Sequence, residues 1–200
     1  MPWLDVANNA ASSQAPMAVG TGLYNEPYGT TARSFPRYMC TSAIAPSPGV
    51  LNLRLMVLPQ GYWAGAMTMY TGATAKTGGT HGWYVITDQY INVLAVTADQ
   101  TDPATTWGTI NSPQDLPFTG AGLSCPYTGY YYAGFMIAES AGTMPTLATA
   151  TVSLGVSNQV PAMSVSGGVG LTTPPAVGAN LVADYSSTST SSWYVGLSAS

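Results

Sequence analysis

Charge is what this chain has least of. Its 200 residues include four Lys or Arg, eight Asp or Glu and one His, so charged side chains make up 6% of the total, against about 25% in an ordinary globular protein. The cations Arg33, Arg37, Arg54 and Lys76 are scattered, and the net charge is −4. Recognition of a phosphate backbone needs clustered Lys and Arg, so no nucleic-acid partner is expected. Long apolar runs are also missing. None approaches the roughly 20 residues of a membrane helix, so no membrane partner is expected either. The opening Met1-Pro2-Trp3-Leu4-Asp5 has no basic segment and no apolar stretch, and predicts neither a signal peptide nor a myristoylation start. There is no Asn-x-Ser/Thr sequon.

Groups that carry chemistry are equally sparse. His81 is the single histidine, and no Gly-x-Ser-x-Gly elbow accompanies it. It lies in Gly78-Gly79-Thr80-His81-Gly82-Trp83 at the start of a strand, where a structural histidine bonding a neighbouring backbone is the favoured reading. Cys40 and Cys125 are the only cysteines, and neither context suggests thiol activation. They read as two free thiols rather than a bridge. One His and two distant Cys cannot supply a zinc site. Asp99 and Asp102 share a turn, with Asp88 at the end of the preceding strand, but the alternating acids of an EF-hand are absent; calcium is the weaker reading, and Asp is also a common turn-former. Glu26 and Glu139 are the only glutamates, so a paired-carboxylate glycosidase centre is not apparent. Gly20-Thr21-Gly22 lacks the flanking strand and helix of a dinucleotide site. No catalytic centre, cofactor or metal is expected.

What the chain does contain is apolar residues at a normal 46%, enough to fold and bury a core. Val50–Leu58 alternates Leu51, Leu53, Leu55 and Val57 with Asn52 and Arg54, the period of two of a strand with one face inward. Further strands are predicted at Tyr62–Tyr70, His81–Asp88, Asn92–Ala98, Trp107–Ile110, Tyr130–Ala138, Ala148–Leu154 and Trp193–Leu197. The stretch 158–180 reads as a long irregular excursion, and Ser186–Ser192 as a polar loop. Short strands at this spacing, without a helical run, predict an all-β fold: a jelly-roll-like antiparallel β-sandwich over residues 37–200.

Residues 1–36 have a different texture, rich in Ala, Asn, Ser, Pro and Gly, and read as an extended N-terminal arm. Trp3, Leu4, Leu23, Tyr24, Tyr28 and Phe35 are its candidate anchors to a partner. An arm folding back on its own domain is the competing reading. The chain also has 13 Tyr and 5 Trp against 3 Phe. Rings with a polar tip suit interfaces and sugar stacking. Tyr127, Tyr130, Tyr131 and Tyr132 cluster around Gly129, and Tyr127 and Tyr131 are the candidates for an exposed interface or glycan contact.

Several strand motifs occur together in order: Phe35-Pro36-Arg37-Tyr38, Gly49-Val50-Leu51-Asn52-Leu53, Leu58-Pro59-Gln60-Gly61, Thr80-His81-Gly82-Trp83-Tyr84, Val93 to Thr101, Trp107, Gly129 to Gly134, and Pro145-Thr146-Leu147. From about residue 35 to about 150 the chain resembles a domain of actinobacteriophage virion structural proteins. The resemblance implies a β-rich module of a head-decoration or minor tail protein. A short arm with one compact domain suits a capsid decoration (cementing) subunit, a class often trimeric. The partners implied are copies of the chain itself as a homotrimer, the major capsid protein or tail proteins, and host cell-envelope glycan for a tail protein. The implied location is the virion, assembled in the bacterial host cytoplasm.

Overall fold

A computed structural model describes residues 32–78, 81–100, 107–138, 142–151, 162–168, 170–181, 185–188 and 191–198. Among these, the strands in chain order begin with β1 (Ala32–Arg33), β2 (Ser42–Ile44), β3 (Leu51–Leu58), β4 (Trp63–Ala64), β5 (Ala66–Tyr70) and β6 (Thr77–Gly78). Next come β7 (His81–Asp88), β8 (Val93–Val96), β9 (Pro113–Pro117), β10 (Leu123–Ser124), β11 (Gly129–Ala138) and β12 (Gly142–Thr143). The last are β13 (Leu147–Thr151), β14 (Ser164–Gly167), β15 (Tyr185–Thr188), β16 (Ser191–Trp193) and β17 (Gly196–Ser198). One turn of 3-10 helix spans Arg37–Met39, and no α-helix occurs among the described residues. The fold is the antiparallel all-β sandwich that the strand spacing predicts.

The main sheet has six strands in the order β15-β14-β3-β11-β7-β8. β11 lies at its centre, paired with β3 through Gly129–Phe135 and with β7 through Tyr131–Ala138. Opposite it lie a four-stranded sheet, β1-β17-β5-β9, and a three-stranded sheet, β16-β13-β2. These two smaller sheets meet at a Thr71–Leu147 bridge. The strand predicted at Trp193–Leu197 is divided between them at Tyr194-Val195. β16 pairs with β13 and β17 pairs with β5, so one stretch of chain serves both sheets. The strand predicted at Tyr62–Tyr70 divides in the same way at Gly65, whose N–H donates to Ser198 O and whose carbonyl accepts from Phe118 N–H.

Both faces of the main sheet are buried. Met56, Leu58, Tyr84, Ile86, Tyr131 and Phe135 face the smaller sheets. Leu51, Leu53, Trp83, Val85, Tyr132 and Met136 face the other way, into a second core that Leu171, Ala179 and Leu181 help to close. The alternation in β3 is therefore not inside against outside. Asn52 and Arg54 are buried as well, at 7% and 5% exposure. Arg54 donates from Nη1 to Met163 O at 3.0 Å, which supplies an acceptor where water is excluded. Desolvation lowers its pKa to about 10.

Three sequence expectations change, and one strand is found that the sequence pattern did not predict. Trp107–Ile110 is not a strand. Trp107 has φ of 57° and lies fully buried in a turn, with its N–H on Gln114 Oε1 and its carbonyl on Lys76 N–H. Pro113–Pro117, with a proline at each end, is a strand; it forms the edge of its sheet, where a missing N–H breaks no ladder. Ser186–Ser192 is not a plain loop, since Ser186–Thr188 belongs to β15 and Ser191-Ser192 to β16. A ladder is made by the backbone, and polar side chains do not forbid it. The stretch 158–180 contains β14, paired to β3, and then part of the cover of the second core.

Candidate functional site

The proposed arm boundary at residue 36 lies inside the folded domain. Ala32 and Arg33 pair with Leu197 and Gly196. Ser34 closes the same seam, its N–H donating to Val195 O while its Oγ accepts from Val195 N–H. Phe35 is 7% exposed and meets Tyr194 edge-on, with ring centroids 5.8 Å apart. It thus anchors the chain to its own domain, as the fold-back reading expects for this residue. Trp3, Leu4, Leu23, Tyr24 and Tyr28 lie outside the described residues.

Phe35 begins a continuous stack. The Arg54 guanidinium lies 5.9 Å from its ring centroid on one side. On the other, Tyr194 meets Tyr70 at 5.4 Å and 73°, and the Arg37 guanidinium sits 4.9 Å above the Tyr70 ring. Such contacts are worth roughly 0.5–1.5 kcal/mol each beyond the area buried. Burial pushes the Tyr194 hydroxyl up to about 12.

Beside this stack, the outer face of the four-stranded sheet holds a cleft of about 300 Å³. Its floor is one cross-strand row. Arg33 pairs with Gly196, Gly196 with Thr68, and Thr68 with Asp115. Tyr70 and Tyr194 also line the cleft. The Thr68 hydroxyl donates to Asp115 Oδ1. A cation and a carboxylate therefore stand at opposite ends of a row whose inner positions are Gly and Thr.

Tyr131 is not exposed. Its ring is fully buried in the core, stacked on Tyr127 at 5.0 Å and 18°, and its hydroxyl donates to Tyr127 O at 2.7 Å. Tyr132 is buried on the opposite face, and Tyr127 is half-buried. Two-sided burial is the reason: from Tyr131 to Ala138 neither face of β11 is free to present a ring. Among the described residues, exposed rings include Tyr38 at 86% in the 3-10 turn, Tyr90 at 64% in the turn after β7, and Tyr130 at 43%, just past the Tyr131–Asp88 pairing. Trp63, 41% exposed in β4, is another.

His81 bonds a carboxylate rather than a backbone group. Its Nδ1 lies 2.6 Å from Asp99 Oδ2, while Asp99 Oδ1 accepts from Gly82 N–H at 2.9 Å. Gln100 N–H donates to Gly82 O, and this holds the two stretches side by side. The carboxylate orients the imidazole, an arrangement that leaves Nε2 as the second ring position. Among the described hydrogen bonds, none joins His81 to a hydroxyl or thiol.

Asp88 is occupied locally. It accepts from Tyr90 N–H, Asn92 N–H and Asn92 Nδ2, and Asn180 Nδ2 bonds Asn92 Oδ1, tying the core cover to the hairpin. Asp102 lies outside the described residues. No group of three or more His, Cys, Asp or Glu that could hold a metal occurs among the described residues. Cys40 and Cys125 are both free. Burial raises both thiols, Cys125 to about 11. No helix among the described residues is long and apolar enough to cross a membrane.

A scan against protein-family models finds no match for this chain, and a search of curated proteins finds none either.

Proposed function

We propose that this chain is a bacteriophage virion structural subunit, a capsid decoration protein that holds its lattice through residues 1–31 and works by packing rather than by catalysis. The observation that carries this reading is the root of the arm. The segment reaches the domain at β1, an edge strand paired to β17, and is held there by buried Phe35. The nearly uncharged sequence suits a subunit packed against copies of itself or a capsid. The short edge strand β2 is exposed throughout, with Tyr38, Met39 and Ile44 exposed at or beside it, which suits a closed assembly such as a trimer.

Deletion of residues 1–30 is the test. The truncated chain keeps its folded β domain and loses binding to phage particles in co-sedimentation. Full occupancy of particles by the truncated chain would remove the arm from the account.

A second reading, a minor tail protein that binds host cell-envelope glycan, is favoured by exposed Tyr90, Tyr130 and Trp63 and by the polar cleft. Binding of the purified chain to host cell walls, lost on ring substitution, supports it.

A further inference from the structure

We propose that the free edge of β2 is the dock for the arm of a neighbouring copy of this chain, whose residues 17–24 add to it as a further strand. The inference rests on the reading of residues 1–31 as a binding arm, and it names that arm's partner.

The three-stranded sheet stops at β2, whose one ladder partner among the described residues is β13. Across the ladder, Ile44 faces Leu147 and Ser42 faces Thr149. Leu147 and Thr149 are fully buried, whereas Ile44 is 39% exposed and Ser42 is exposed as well. Directly opposed residues share one face of a sheet. The core-side row therefore runs from a buried leucine to an uncovered isoleucine. Ala43 turns its peptide groups outward. Its cross-strand partner Ala148 gives its carbonyl to Tyr194 N–H on the far side, and bonding alternates along an antiparallel ladder. Natural edges are blunted by charge, proline or a bulge; Ser42-Ala43-Ile44 has none of these. Tyr38 and Met39, 86% and 46% exposed, extend the apolar surface beside it.

The arm holds the kind of segment that such an edge asks for. Between Pro16 and Pro27 there is no proline, so every N–H can donate to a ladder. Met17, Val19, Thr21 and Leu23 alternate with Ala18, Gly20 and Gly22, the period of a strand with one larger, mostly apolar face. Laid against β2, that face continues the Leu147–Ile44 row, and the small residues lie outward with Ala43 and Ala148. Neither residues 17–24 nor β2 carry a charge that would oppose the pairing. The course of the chain selects a neighbour's edge over its own. β1 runs antiparallel to β17, with Ala32 opposite Leu197 and Ser34 bonded to Val195. β1 therefore enters its sheet from the Ser198 end, while β2 belongs to the sheet built on β16 at the Trp193 end. Residues 24–31 can span up to about 28 Å, enough to cross to an adjoining copy.

The experiment compares the full chain with two full-length variants by sedimentation velocity. Thr21→Pro removes an N–H from the docking segment and leaves the edge intact. Ile44→Lys puts a charge into the core-side row of the edge and leaves the arm intact. The wild-type chain is expected to self-associate, and each variant at least tenfold more weakly. An equimolar mixture of the two variants is expected to form a one-to-one dimer, because each supplies the half that the other lacks. Thermal midpoints check that the domains are folded, and Thr21→Pro, which precedes β1, keeps the proposal testable if Ile44→Lys does not fold. A monomeric wild-type chain, or equal association of all three proteins, overturns the proposal. Association lost in only one folded variant overturns it too, as do two variants that stay monomeric when mixed. Full particle binding after deletion of residues 1–30 removes the arm reading itself. Loss of particle binding on that deletion, with self-association unchanged in Ile44→Lys, removes only the β2 dock.

Discussion

The indole of Trp107 fills the space that a β-carbon on Gly82 would need: that carbon would lie 2.3 Å from Cζ3 and 2.6 Å from Cη2. Gly82 is in the β7 strand and Trp107 in a turn far along the chain, yet each dictates the other. The ring is fully buried and cannot swing away. Gly82→Ala is therefore expected to destabilise the domain by about 1–3 kcal/mol, the usual cost of overpacking. Urea midpoints of the two proteins check this. An unchanged midpoint would mean that the indole has somewhere else to go.

Tyr84 is the hydrogen-bonding partner of that indole. Its hydroxyl accepts from Trp107 Nε1 at 3.1 Å and donates to Gln114 O at 3.0 Å, all within the core. Tyr84→Phe keeps the ring and orphans both partners. The expected loss is about 1–3 kcal/mol, with little change in fold. Equilibrium unfolding measures the loss, and the Tyr84→Phe spectrum in near-ultraviolet circular dichroism checks that the packing survives.

Two truncations separate arm from domain. Removing residues 1–31 leaves β1 and Phe35 in place, and thermal stability is expected to hold. Removing residues 1–36 takes away the Leu197 and Gly196 pairings and the Phe35–Tyr194 contact. Burial of one phenylalanine alone is worth roughly 1.5–3 kcal/mol, so the second truncation melts several degrees lower. Calorimetry on both proteins decides where the domain starts.

Alkaline pH should unfold the protein. Burial raises Tyr62, Tyr132 and Tyr194 to about 12 and Cys125 to about 11, from ordinary values near 10 and 9. Below pH about 8 these groups are neutral in both states and make no pH dependence. Above it the unfolded chain releases protons that the native chain retains, so stability falls as pH rises toward 12. Denaturant midpoints measured from pH 7 to 11 should be flat at first and then decline. A midpoint rising between pH 10 and 11 would contradict the burial of these rings.

Period-two alternation made β3 legible in the sequence, and aromatic and β-branched content made β11 so; β7 spans the predicted residues from end to end. Ring exposure was not legible. Tyr131 and Tyr130 are adjacent in one strand, and nothing local says that Tyr131 lies under the second layer while Tyr130 stands at the open end. Neither was the cleft. Arg33, Thr68, Asp115 and Gly196 are far apart in the chain, and only the register of β1, β17, β5 and β9 sets them in one row.

Local pattern thus carried the all-β class, the main strands and the low charge, because each depends on neighbours in the chain or on composition alone. Which face of a strand is covered, where a strand changes sheets at Gly65 or Tyr194-Val195, and which distant side chains share a surface depend on cross-strand pairing. Pairing is set by how two sheets and the 170–181 cover close around two cores, and that energy is shared by residues that no sequence window contains.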